Sequence, residues 1–196
     1  MEQVAGMYKL RLMFSKFPGL ETERFILRQV NIEDYEDIYD IYCDEEAVKF
    51  QGITNMTSME QAKRSVTFFL NGYRDKKFVK WCIARKEDNR VIGIITLHHI
   101  ETCNFRAEIG YMLNRRYWRQ NVMSEVGEKL LQYAFKEVEF NRIEAHIHPD
   151  NIASIKLCEK LGFQREGLKK QCDINLRTNE FEDRIILAIL KSDFKY

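Results

Sequence analysis

Three groups of residues in this 196-residue chain have types and spacings that can do chemistry. The first is Arg115, Arg116 and Arg119, crowded just ahead of an amphipathic run. A helix start offers unpaired N–H groups and the positive end of its dipole, so it suits an anion, most commonly a diphosphate. A basic loop before a helix is also ordinary solvated surface, and this feature alone does not separate the two. The second group is His148-Pro149-Asp150-Asn151-x-x-Ser154. Taken alone, it is a helix cap followed by a surface hydroxyl in the first turn. The third is a set of histidine pairs, His98-His99 on one strand and His146 with His148 on one face of another. Such pairs bind metal when other ligands join them. No Asp, Glu or Cys ligand set accompanies them, so they are expected to be polar positions at a sheet edge, with no metal.

The cysteines add little chemistry. Cys43, Cys82, Cys103, Cys158 and Cys172 are odd in number, widely spaced and without a CxxC pair. Neither a zinc ribbon nor a thioredoxin-like motif is supported, and free thiols in a reducing, cytoplasmic setting are expected. The charge balance, 31 Lys+Arg against 30 Asp+Glu, gives no support to direct nucleic-acid binding through bulk charge. No apolar run is long enough for a membrane helix. Residues 1–20 mix Lys9, Arg11 and Lys16 with apolar residues, so they are expected to be a short extension and not a signal peptide. Residues 21–196 are expected to form one domain.

The elements that must position these groups follow from periodicity. Thr22 to Val30 alternates as a strand, and Asn31 caps a helix running to about Asp44. Ser58 and Gln61 form a capping-box pair ahead of Val66, Phe69, Leu70 and Tyr73. Phe78–Arg85 and Val91–Ile100 flank the polar turn Glu87-Asp88-Asn89 as an antiparallel hairpin. Phe105–Leu113 alternates, and the basic loop then leads into an amphipathic helix over about 122–138, with Val126, Leu130, Ala134 and Val138 at a spacing of four. Arg142–His148 is a short strand, and Gly162 stops a helix that starts at Asn151. Phe163–Cys172 and Phe181–Leu190 are the last two strands. The order β-α-α-β-β-β-α-β-α-β-β implies an α+β fold, a mixed sheet with helices on both faces.

Taken together, two runs are specific. AEIGYMLNRRYWRQNVMSE, followed by NRIEAHIHPDNIASIKLCEKLGF, resembles the GNAT superfamily of acetyl-coenzyme A-dependent N-acetyltransferases. The closest likeness is to the branch that acetylates the N-termini of ribosomal proteins (RimJ/RimL-type), which LETERFILRQV and EDNRVIGII also resemble. The likeness spans about Leu20 to Leu190. It implies an α/β/α sandwich with a mostly antiparallel seven-stranded sheet, splayed between its fourth and fifth strands, here Phe105–Leu113 and Arg142–His148.

The resemblance also implies roles. Backbone groups at Tyr111, Met112 and Leu113 would hold the pantetheine arm. Arg116, Arg119, Gln120, Asn121, Val122, Met123 and Ser124 would hold the diphosphate, and Asn151 would lie near the coenzyme. Glu108 would be the base, with the alternative that it merely pairs with Arg106 or Arg142. Ser154 would protonate the departing thiolate. The family's loop, Gln/Arg-x-x-Gly-x-Gly/Ala, is Arg116-Tyr-Trp-Arg119-Gln-Asn121 here, so both small positions are replaced. Asparagine tolerates positive φ, so Asn121 can suffice. Arg119 either adds a phosphate contact or obstructs the loop. Tyr117-Trp118 would either wall the coenzyme or pack under the loop, and packing is expected. The implied activity is acetyl transfer to a primary amine, of a ribosomal or other protein N-terminus or of a small molecule, by direct attack in a ternary complex. The alternative is a non-catalytic relative that binds coenzyme A or acts as an interaction module. The acceptor site would be shaped by Ile32–Lys76 and the loop near Arg177–Glu180. A monomer or homodimer is expected.

Overall fold

Two central strands set the architecture. β3 (Val79–Arg85) and β4 (Val91–Glu101) are apolar on both faces because helices cover both. On one face Trp81, Ile83, Ile95 and Leu97 pack with Val126, Leu130 and Leu131. On the other Cys82, Ala84 and Ile94 pack with Ile38, Ile41, Val66 and Phe69. The structure, a computed structural model, describes residues 9–195.

Residues 9–12 are helical (α1). Then come β1 (Leu20–Glu21), β2 (Phe25–Arg28), a 3-10 turn (Ile32–Asp34), α2 (Tyr35–Tyr42), α3 (Glu45–Val48) and α4 (Met59–Arg74). After β3 and β4 follow β5 (Arg106–Leu113), a 3-10 turn (Arg115–Tyr117) and α5 (Val122–Gln132). β6 (Arg142–Ile147), α6 (Ile152–Lys160), β7 (Gln164–Asn175) and β8 (Glu180–Leu190) complete the chain. The sheet order is β1-β2-β3-β4-β5-β6-β8-β7. All pairs are antiparallel except β5 with β6.

Among the described residues the expected seven strands are eight. Leu20 and Glu21 add a two-residue strand opposite Leu27 and Ile26, because burying Leu20 beside Leu27 brings the two backbones together. Residues 1–8 of the expected extension lie outside the described part. From Lys9 on, the chain is packed: Leu10 and Met13 are buried, and Trp81 Nε1 donates to Pro18 O at 2.5 Å. The helix expected to about 138 is α-helical to Gln132 and closes in a π turn, Tyr133–Glu137. Ser58 and Gln61 form the expected capping box. Gly162 ends α6 at φ +94°, a conformation glycine takes without a Cβ clash.

β5 and β6 hold the key to the site. They pair in parallel only through Arg106–Arg142, Ala107–Ile143 and Glu108–Glu144. Beyond Glu108 the register ends and the strands part.

Candidate functional site

On its β6 side the parted half of β5 has no strand partner. Asn114 N–H bonds Ile92 O, and a Cβ on Gly93 would meet Met112 O at 2.8 Å. Even-numbered backbone groups of this stretch therefore face β4. The odd ones, at Tyr111 and Leu113, face the gap. Their carbonyls accept from Gln51 Nε2 at 3.3 Å and Trp118 Nε1 at 2.8 Å. Tyr111 OH crosses the gap to Ser154 O at 3.3 Å, which ties α6 to β5.

A cleft of about 540 Å³ runs from this edge to the start of α5. It brings together ten of the residues singled out by sequence: Tyr111, Met112, Leu113, Arg119, Asn121, Val122, Met123, Ser124, Asn151 and Ser154. Arg116 and Gln120 do not line it. Gln120 Nε2 instead donates to Arg116 O at 2.8 Å, and Arg24 Nη2 donates to Gln120 O at 3.1 Å. Tyr117 and Trp118, expected to pack under the loop, both line the cleft.

The loop solves its missing glycines through backbone angle. Arg119 has φ +59° and Asn121 φ +58°. Both positions where the resembled motif carries a small residue thus take the left-handed conformation, at roughly 1 kcal/mol or more each. Asn121 is the N-cap of α5 but makes no side-chain cap bond. Its Oδ1 accepts from Lys160 Nζ at 3.3 Å, and Lys160 also donates to Ser124 Oγ at 3.1 Å. A cation therefore stands at a helix start, beside N–H groups that attract anions. Sequence reasoning missed Lys160 and its neighbour in the cleft, Lys156. Their i, i+4 spacing on α6 was the available signal. On the same helix Asn151 Oδ1 accepts from Ser154 N–H at 3.2 Å, which fixes Ser154 in the first turn.

Glu108 stands outside this cleft, at the root of the gap. Arg106 and Arg142 are not its partners; both bond Glu144, at 3.3 and 2.6 Å. Glu108 meets imidazoles instead. Oε1 lies 3.0 Å from His99 Nδ1 and Oε2 lies 3.4 Å from His146 Nδ1. His146 Nε2 is 3.1 Å from Glu144 Oε2. The sequence reading gave the histidines no acidic company and put them at a sheet edge. The fold corrects both points. β4 and β6 are interior strands, and the two registers set His98 opposite Glu108 and Glu108 opposite Glu144.

Burial tunes this region. It pushes His98 down to about 4, against the pull of Glu108. Burial also raises Glu144, but bonds from Arg142 and His146 outweigh it and hold the carboxyl below its ordinary value. Burial, with Cys158 nearby, lifts the Tyr111 hydroxyl well above 10. Burial pushes the Cys158 thiol up to about 11. Beyond the histidines, the loop of the β7–β8 hairpin meets the α3–α4 connection, where Leu176 N–H bonds Gly52 O at 2.9 Å. The two regions expected to shape an acceptor site thus touch.

Comparison with known proteins agrees with this geometry. Residues 24–164 match the model of the acetyltransferase (GNAT) domain. YoaA, an uncharacterized N-acetyltransferase of Bacillus subtilis strain 168, is 39% identical over 155 residues, 79% of this chain and 88% of YoaA. The ribosomal-protein-serine acetyltransferase of Escherichia coli K12 is 25% identical over 155 residues, 78% of this chain and 86% of that protein. Mycobacterium smegmatis RimJ, solved in complex with CoA-disulfide, shares the fold with a TM-score of 0.81 at 19% identity, over 91% of this chain and 90% of its own.

Proposed function

The chain belongs to the GNAT acetyltransferases, and from that premise we propose that it moves acetyl from acetyl-coenzyme A to a primary amine. The acceptor is a protein N-terminal α-amine or the amine of a small molecule. The carrying observation is the cleft itself: a β5 edge with no strand partner at one end and a left-handed loop opening α5 at the other. Acetyl-coenzyme A supplies an activated thioester and a diphosphate.

This chain's residues divide the work. N–H groups at the start of α5, from Val122 to Ser124, take the diphosphate, with Arg119, Lys156 and Lys160 adding charge. Arg116 and Gln120 hold the shape of the loop. The N–H groups of Tyr111 and Leu113 face the gap, where they bond the pantetheine arm and the oxyanion. Asn151 holds the first turn of α6, where Ser154 would face the thioester sulfur. Glu108 takes the proton of the amine, directly or through one water. The amine nitrogen bonds the carbonyl carbon, the C–S bond breaks, and the Ser154 hydroxyl gives its proton to the leaving sulfur as water returns one to it, while Glu108 releases its proton to solvent. No protein nucleophile takes part, which accords with a buried Cys158 whose raised pKa keeps it a thiol. The likeness to a ribosomal-protein-serine acetyltransferase supports a peptide α-amine as acceptor. Five free cysteines support a reducing, cytoplasmic setting.

Calorimetry with acetyl-coenzyme A is the direct test, followed by an amine panel of short peptides, amino acids and polyamines. Saturable binding and thiol release with at least one amine are expected. No heat and no thermal shift at millimolar coenzyme ends the reading.

A further inference from the structure

A strand sends consecutive side chains to opposite faces. β4 breaks that rule at His98-His99. The β4–β5 register shifts between His98 and Glu101, and His99 takes φ +45°, left-handed backbone in a residue that is not glycine. The two imidazole rings end 4.7 Å apart, centroid to centroid. Glu108, paired with His98 in the register, brings Oε1 to 3.0 Å from His99 Nδ1. One nitrogen from each histidine and one oxygen of Glu108 all lie within 4.8 Å of one another. Left-handed backbone at such a residue is strained, and bulges re-aim side chains beside sites. Here both put two imidazoles and a carboxylate on one spot.

We propose that His98, His99 and Glu108 form a binding site for a divalent transition-metal ion, with zinc as the reference ion. Two imidazole nitrogens and one carboxylate oxygen suit zinc, cobalt or nickel, whereas magnesium and calcium favour oxygen alone. Bonds of about 2.0–2.2 Å in a tetrahedral shell place ligand atoms roughly 3.3–3.6 Å apart, so only small side-chain rotations close the site. The His99 side chain is 73% exposed, which gives an ion its entry and leaves room for water as the remaining ligand. The carboxylate is oriented from behind: His146 holds its other oxygen, and Glu144 holds His146. Ion binding here does not depend on the proposed acetyl transfer. The site does share Glu108, so an ion bound there takes the proposed base away from the amine.

The test uses the full chain carrying no histidine tag, titrated with Zn²⁺ against a chromophoric chelator and with Co²⁺ by visible absorption. One ion per chain, bound in the micromolar range, is expected, with a Co²⁺ spectrum free of thiolate charge transfer. His99→Ala and Glu108→Gln each weaken binding by about tenfold or more. Cys103→Ser with Cys172→Ser, which removes both exposed thiols, leaves it unchanged. His99 is a surface side chain, so its replacement spares the fold; circular dichroism checks this. Dissociation constants no tighter than about 0.1 mM, undiminished binding in His99→Ala, or loss of binding in the cysteine variant overturns the site. Inhibition by the ion reads the base separately: binding without inhibition leaves the site standing and removes Glu108 from the chemistry.

Discussion

At the α5 end of the cleft the working groups are mostly backbone, whereas at the root of the gap they are all side chains. The α5 end needs two left-handed residues and the first N–H groups of a helix. Arg119 and Asn121 stand where the resembled motif has small residues, and both take the left-handed angle. The root of the gap is built differently. Glu108, His99, His146 and Glu144 come from three strands; register places Glu108, Glu144 and His146, where one slipped residue would turn a side chain to the other face, and a left-handed irregularity in β4 places His99. A backbone site survives substitution of its side chains; a side-chain site survives only if the sheet does.

Substitutions can break this comparison, starting with the largest effect. Glu108→Gln should lower kcat by about 10²–10⁴-fold while acetyl-coenzyme A binding by calorimetry is kept. A change under threefold would place the base elsewhere. Ser154→Ala should cost roughly 10²-fold in turnover, again with coenzyme binding nearly intact. Unchanged turnover removes Ser154 from the mechanism.

A pH titration sharpens the side-chain end. Folded His98 titrates near 4, below the 6.5 of a free imidazole, because burial disfavours its cation. Above about pH 6.5 the group is neutral folded and unfolded, and it affects nothing. As pH falls from 6.5 toward 4 the unfolded chain takes the proton first, so stability drops by up to roughly 2–3 kcal/mol. His98→Asn should flatten that slope in thermal melts recorded across the window. An identical slope in the variant would assign the loss to other groups.

The backbone end predicts smaller, separable effects. Asn121→Val forces a β-branched residue into left-handed backbone and should weaken coenzyme binding by about 1–2 kcal/mol, whereas Asn121→Gly should leave it within about twofold. Equal affinities would show that the angle is not what matters. Lys160→Ala should raise the Kd for coenzyme a few fold, an effect that fades as salt screens the charge.

Local order was largely legible. The Ser58 capping box, the alternation of β5, the Asn151 cap and the Gly162 stop rest on neighbours within a few residues, and the structure shows each of them. The cleft lining was legible through a motif whose residues lie close in sequence. Lys160 was missed because its meeting with Asn121 spans 39 positions. The meeting of His146 with Glu108 was missed for the same reason, since they lie far apart in the chain and meet only because β6 runs parallel beside β5, whereas Glu144, two residues from His146 on one strand, was the local signal.

By itself, the sequence determined most of the strands and helices and several of their caps. These are decided by backbone preference and by patterns of burial that repeat every two or four residues. Tertiary structure alone decided where β5 and β6 part, that Arg119 and Asn121 turn left-handed, and that His98, His99 and Glu108 converge. Those outcomes depend on register between distant strands, and register is fixed by the packing of whole faces against the core.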